Sequence, residues 1–222
     1  MESEETPENV LAFLQKIEDN TLRVAVIGLG YVGLPLAVTL SEVGFSVTGI
    51  DKNRELLNRL GMGESSIPSV PGERLKKTTL KFSETLVDEY DVYVICVPTP
   101  LDQYRRPDMG PVNSVVKAID KALWLQDQPE HAKLVVLEST VWPGATQELV
   151  ESVILCSDTY FAFAPERENP GDEKFNTRNI PRVVGSDSDN GGIMACAFYR
   201  TITEVHPVSS TRVAESAKLV IS

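Results

Sequence analysis

The sequence lacks any apolar run approaching the roughly 20 residues that cross a bilayer, so no membrane-spanning helix is expected. It lacks an excess of cations: 21 Lys and Arg stand against 32 Asp and Glu, a net charge of −11. A protein that tracks nucleic-acid phosphates carries the opposite balance, so nucleic acid is set aside as a partner. Cysteine is scarce. Cys96, Cys156 and Cys196 are odd in number and form no C-x-x-C pair. No disulfide framework and no metal site is expected, and the natural setting is a reducing, cytoplasmic one in which the three act as small hydrophobes. The acidic start "MESEETPENV" lacks the basic-then-apolar pattern of a secretory signal.

What is present suits a globular chain. A length of 222 residues, 42% of them hydrophobic, suffices for one large domain, or one domain with an appendage, around a real core. Residues 1–20 form a polar leader in which Thr6-Pro7 resembles a helix start and Val10, Leu11, Leu14 and Ile17 share a helical face. From Arg23 onward, β-branched apolar runs ("RVAVIGL", "SVTGID", "DVYVICV", "KLVVLES", "YFAFAP") alternate with helix-compatible stretches at Val32–Val43, Asn53–Leu60, Pro111–Leu125 and Gly144–Leu155. That alternation predicts βαβ units and a Rossmann-like, doubly wound, mostly parallel α/β sheet with helices on both faces. "PRVVGS" and "TEVHPV" read as two further strands around a helix near Asp189–Tyr199, and Thr211–Ser222 reads as the start of a last helix, with Val213, Ala217 and Val220 on one face.

One stretch carries chemistry more directly. Gly28-Leu29-Gly30-Tyr31-Val32-Gly33 follows a strand and opens a helix, and Asp51 ends the next strand. G-x-G-x-x-G in that context, with an acid about 20 residues on, is the dinucleotide fingerprint. Gly28 permits the tight turn, Gly30 lets the backbone approach a pyrophosphate, and Gly33 lets helix and strand pack closely. The phosphates would sit on free N–H groups at the helix start. Asp51 would accept from the adenosine ribose hydroxyls and repel a 2′-phosphate, which favours NAD over NADP, although Lys52 or Arg54 could reach a phosphate. The alternative is a close-packed βαβ unit with no ligand.

Three strand ends supply further candidates, because ligands of open α/β sheets lie beyond the carboxyl ends of the strands. "VPTP" places Thr99, and "EST" places Thr140, toward the nicotinamide half of a cofactor; the alternative for each is a turn or cap hydroxyl. "APERENPG" brings Glu166, Arg167 and Glu168 to the same edge, where a solvated loop is the alternative.

The motifs "GLGYVGLPLA", "VPTP", "ESTVWPG", "PERENPG", "IPRVVGS" and "SSTRVAESAKL" occur in the order seen in nucleotide-sugar dehydrogenases of the UDP-glucose/GDP-mannose type, which the chain resembles from Leu22 onward. The "PERENPG" form is most similar in pattern to the UDP-N-acetylglucosamine 6-dehydrogenases. The resemblance implies oxidation of the C6 alcohol of a UDP-(N-acetyl)hexosamine to a uronate with two NAD used in turn, and a homodimer for the full-length protein. It implies that Gly28, Tyr31, Val32 and Asp51 hold the adenosine diphosphate half, and that Thr99 and Thr140 sit beside the nicotinamide, Thr140 also positioning a water or the substrate oxygen. By the same resemblance Glu166 is the acid/base of the hydrolytic step and Lys218 stabilises oxyanions during oxidation.

Two positions depart from the family pattern. Glu168 is out of register with the second loop glutamate, and Ser222 stands where an asparagine follows the lysine. Family members continue into a glycine-rich segment with a catalytic cysteine and then a UDP-binding domain, and none of the three cysteines here has that setting. The expected organisation is therefore a leader helix at 1–20, an NAD-binding domain at 21–208 and the start of an inter-domain helix at 209–222, forming the N-terminal portion of a longer enzyme. Two other readings compete: a stand-alone NAD-binding module, and a hydroxyacid dehydrogenase whose general base would have to be His131 or His206.

Overall fold

The first strand, β1 (Arg23–Ile27), buries four of its five residues. Val24 and Val26 enter one core, and Ala25 and Ile27 enter another. A strand apolar on both faces must be covered on both, which is the condition that parallel sheets meet with crossover helices. The computed structural model, which describes residues 6–86, 90–101, 103–104, 107–124, 131–152, 158–165 and 179–220, has this form.

The remaining strands are β2 (Ser46–Ile50), β3 (Lys81–Ser83), β4 (Val92–Ile95), β5 (Lys133–Leu137), β6 (Thr159–Phe163), β7 (Arg182–Gly185) and β8 (Val205–Val208). They lie in one sheet in the order β3-β2-β1-β4-β5-β6-β7-β8. The helices are α1 (Glu8–Glu18), α2 (Gly33–Val43), α3 (Arg54–Gly61), α4 (Gly72–Leu75), α5 (Gly110–Trp124), α6 (Ala145–Glu151), α7 (Asp189–Arg200) and α8 (Thr211–Val220). Side chains of α1, α2, α3 and α7 pack into one core, and those of α5, α6 and α8 into the other. The doubly wound Rossmann-like sheet expected from the strand–helix alternation is thus present. β1 pairs in parallel with both β2 and β4. The chain winds outward in both directions from that point, which opens a crevice beyond the carboxyl ends of β1 and β4.

Two features go beyond the alternation. β7 runs antiparallel to β6, so Arg182, at its start, lies at the same edge as the end of β6. And α4 and β3 occupy a segment where the sequence offers no periodic signal. β3 has three residues and pairs only with β2, too short for an alternation to register. The leader helix α1 is tied to the sheet. Val10 and Phe13 are fully buried, and Lys16 Nζ lies 2.7 Å from Asp91 Oδ1.

Candidate functional site

The chain leaves β1 through Gly28, whose φ of +96° is in the left-handed region. A Cβ there would stand 2.7 Å from the carbonyl oxygen of Cys96, so the turn needs glycine for both backbone conformation and space. A Cβ on Gly33 would come within 1.9 Å of the Gly28 carbonyl oxygen; α2 could not start this close to β1 with any other residue. Gly30 differs from both. It is exposed, and a Cβ on it would meet no atom within 4 Å. Its missing side chain leaves the backbone open from outside. Val32, the N-cap of α2, offers no side-chain cap. Among the described residues no hydrogen-bond partner stands opposite the N–H groups of Gly30, Tyr31 and Val32. Unpartnered N–H groups at the positive end of a helix dipole fit a pyrophosphate.

Asp51 follows β2 beside this loop. Its Oδ2 accepts from Leu29 N at 2.9 Å and its Oδ1 from Asn53 N at 2.8 Å. The carboxylate therefore shapes the glycine loop, and each oxygen retains a lone pair for a ribose hydroxyl. Tyr31 is exposed and Val32 half-buried at the mouth of the crevice. Lys52 and Arg54 are both exposed. A further glycine is needed by a tertiary contact with no local signal in the sequence: Leu29 lies over Gly49 of β2, where a Cβ would fall 2.8 Å from a Leu29 methyl.

The loops after β4 and β5 are laced together. The Thr99 hydroxyl donates to the carbonyl oxygen of Thr140 at 2.6 Å, and the Ser139 hydroxyl to that of Val97 at 2.7 Å. Thr99 thus has its proton engaged, and its hydroxyl oxygen is left as an acceptor. Thr140 itself is exposed. Lys218 is on α8, the helix whose Ala214 packs in the same core as β5 and α6. Glu166, with Arg167, Glu168 and Cys156, lies outside the described residues.

A buried polar cluster at this edge was not singled out from the sequence. Glu138 Oε1 pairs with Arg182 of β7 and accepts from the Tyr199 hydroxyl at 2.6 Å. The Cys96 thiol lies 3.9 Å from Glu138 Oε2. Burial, reinforced by the Glu138 charge, pushes the Tyr199 phenol well above its ordinary value of 10.0. The signal was legible in part, since "VLES" and "PRVV" each place a charge beside a buried run. The two histidines stand elsewhere. His131 precedes β5 at the opposite edge of the sheet, and His206 is exposed on the outermost strand β8.

Among the described residues, no helix is long and apolar enough to cross a membrane. Residues 22–203 match the family model of the UDP-glucose/GDP-mannose dehydrogenase family, NAD binding domain. The chain is 35% identical over 211 residues to UDP-N-acetyl-D-glucosamine 6-dehydrogenase of Pseudomonas aeruginosa, covering 90% of this chain and 48% of that protein. It is 30% identical over 218 residues to UDP-N-acetyl-D-mannosamine dehydrogenase of Methanocaldococcus jannaschii, covering 93% and 49%. The solved UDP-N-acetyl-mannosamine dehydrogenase Cap5O of Staphylococcus aureus superposes with a TM-score of 0.75 at 30% identity, over 89% of this chain and 50% of that one. The chain spans about half the length of the curated relatives it matches. A 3-hydroxyisobutyrate dehydrogenase of Mycobacterium tuberculosis, at 16% identity and a TM-score of 0.59, shares the fold alone. The glycine loop, Asp51 and the strand order fit the cofactor named by the matching model, and the chain belongs to the UDP-glucose/GDP-mannose dehydrogenase family, as its NAD-binding portion.

Proposed function

We propose that this chain supplies the NAD-binding half of an enzyme that oxidises the C6 alcohol of a UDP-N-acetylhexosamine to a carboxylate. The observation that carries the reading is the open N–H cradle at Gly30–Val32 with Asp51 beside it. The acetylated sugar is supported by relatives named for UDP-N-acetylglucosamine and UDP-N-acetylmannosamine. The same proposal includes the division at 20 and 208, a homodimer and a cytoplasmic setting.

When bound, NAD supplies the acceptor for the hydride that leaves C6. The chain's own residues do the rest. Gly28 and Gly33 shape the loop, Gly30 gives the pyrophosphate access to its N–H groups, and Tyr31 and Val32 flank it. Asp51 accepts from the ribose hydroxyls and repels a 2′-phosphate. Thr99 and Thr140 border the nicotinamide, and the exposed Thr140 hydroxyl orients a water or the substrate oxygen. The Lys218 ammonium stabilises negative charge on the C6 oxygen as its proton leaves. Glu166 handles protons in the hydrolytic step.

Calorimetric titration with NAD and with NADP tests the cofactor half of this reading. NAD binding tighter than NADP is expected, and no heat with either, or tighter NADP, overturns it. For the chemistry, a protein joining this chain to a UDP-binding half should form two NADH per sugar. There Lys218→Ala should slow oxidation about 10²–10³-fold, the usual cost of one oxyanion donor.

A second reading, a stand-alone NAD-binding module, is favoured by the cysteines. The Cys96 thiol has the Glu138 carboxylate as its neighbour, and burial pushes the Cys196 thiol up. Neither suits a nucleophile. Sustained NADH formation by the isolated chain with UDP-N-acetylglucosamine, UDP-N-acetylmannosamine or UDP-glucose would rule this reading out.

A further inference from the structure

Glu215 is fully buried on α8, yet the function proposed above gives it no role. Its Oε1 accepts from Thr146 N at 2.8 Å and from the Thr146 hydroxyl at 2.7 Å, and its Oε2 accepts from Gly144 N at 2.5 Å. Gly144, the N-cap of α6, has no side chain to cap the helix, so the capping carboxylate comes from a helix about 70 residues later in the chain. The loop that Glu215 grips follows β5 and contains Thr140. Lys218 follows Glu215 by three positions and shares its face of α8.

The rest of α8 is held independently of that grip. The Thr211 hydroxyl and N–H at its start both donate to Asp187. α8 also rides so close to β7 that a Cβ on Gly185 would fall 2.2 Å from the Ser210 carbonyl oxygen. Asp187 and Gly185 thus fix where α8 begins. Glu215 is what ties its next turn to the loop after β5.

We propose that Glu215 is a positioning residue: its buried carboxylate locks α8 to the Thr140–Thr146 segment and so sets the spacing between Lys218 and Thr140. The inference rests on the reading that these two residues border the nicotinamide end of the site. Under it, the adenosine end, held by the Gly28–Gly33 loop and Asp51, is independent of Glu215, and the nicotinamide end is not.

The test is to titrate the 222-residue chain with ADP-ribose and with NADH, following heat and the emission of bound NADH. Glu215→Gln keeps the length of the side chain but loses one of its acceptors. It should leave ADP-ribose affinity within about twofold, weaken NADH by about tenfold, the scale of one lost charge-assisted hydrogen bond, and move bound emission toward that of free NADH. Thr146→Val removes only the hydroxyl bond and should shift the NADH to ADP-ribose ratio the same way by less; it carries the test if Glu215→Gln does not fold. An unchanged ratio with only a lower unfolding midpoint would reduce Glu215 to a structural cap and overturn the proposal. Thr140→Ala and Lys218→Ala separate the two levels. If they shift the ratio and Glu215→Gln does not, the positioning role alone falls. If neither shifts it, the reading of the site falls and the inference with it.

Discussion

Arg182, at the start of β7, reaches across the end of β6 to pair with Glu138 at the end of β5, and both side chains are buried. The pair ties together three strands at the edge of the candidate site. Removing one member leaves the other charge buried without its partner. Arg182→Ala or Glu138→Ala should therefore destabilise the fold by about 3–5 kcal/mol. Urea denaturation measures this. A loss under about 1 kcal/mol would mean that water reaches the pair.

Tyr199 donates to the same Glu138 oxygen and has its phenol raised above 10.0 by burial and by that charge. A raised phenol stays protonated in the folded chain while the unfolded chain ionises. Its contribution is fully present below pH 10.0 and is lost as the pH rises beyond it. Denaturation at pH 8 and at pH 11 should show a marked fall for the native sequence. In Tyr199→Phe the fall should be shallower, with stability at neutral pH lowered by about 1.5–3 kcal/mol for the lost bond to a carboxylate.

The three glycines of the fingerprint should separate by experiment. Gly30→Ala meets open space and should leave stability within about 0.5 kcal/mol while weakening NAD. Gly33→Ala forces an atom into the Gly28 carbonyl and should lower stability and binding together. Equal stability losses in both variants would contradict the steric assignment.

Asp51 holds the Leu29 N–H, and the proposed function also has it accept from the cofactor's ribose hydroxyls. Asp51→Ala should weaken NAD by about 1–3 kcal/mol and narrow the preference for NAD over NADP. Calorimetry with both cofactors checks the two effects, and a variant that still favours NAD to the same degree would remove Asp51 from the discrimination.

Asp91 receives Lys16 of α1, the N–H of Arg23 and the nearby buried Lys133. Asp91→Ala should loosen the leader helix first. Amide hydrogen exchange along residues 8–18 should accelerate before exchange in β1 and β4 does.

The sequence by itself determined the parts of this protein whose signals are local. Alternating apolar runs and helical stretches fixed the parallel core, because a strand buried on both faces has to be apolar throughout. The spacing of Gly28 and Gly33 announced the tight loop between β1 and α2, because a left-handed turn at Gly28 and close backbone approach at Gly33 admit few other residues. What only the tertiary structure decided depends on partners far apart in the chain. β3 is too short to show a period. Thr99 spends its proton on Thr140, 41 residues away. Glu138 meets Arg182 and Tyr199, and Glu215 caps a helix that begins some 70 residues earlier. Each of these carboxylates reads in sequence as one more acid in an acidic chain. Burial makes them different, because a charge taken out of water has to be met by specific donors, and only the fold brings those donors to it.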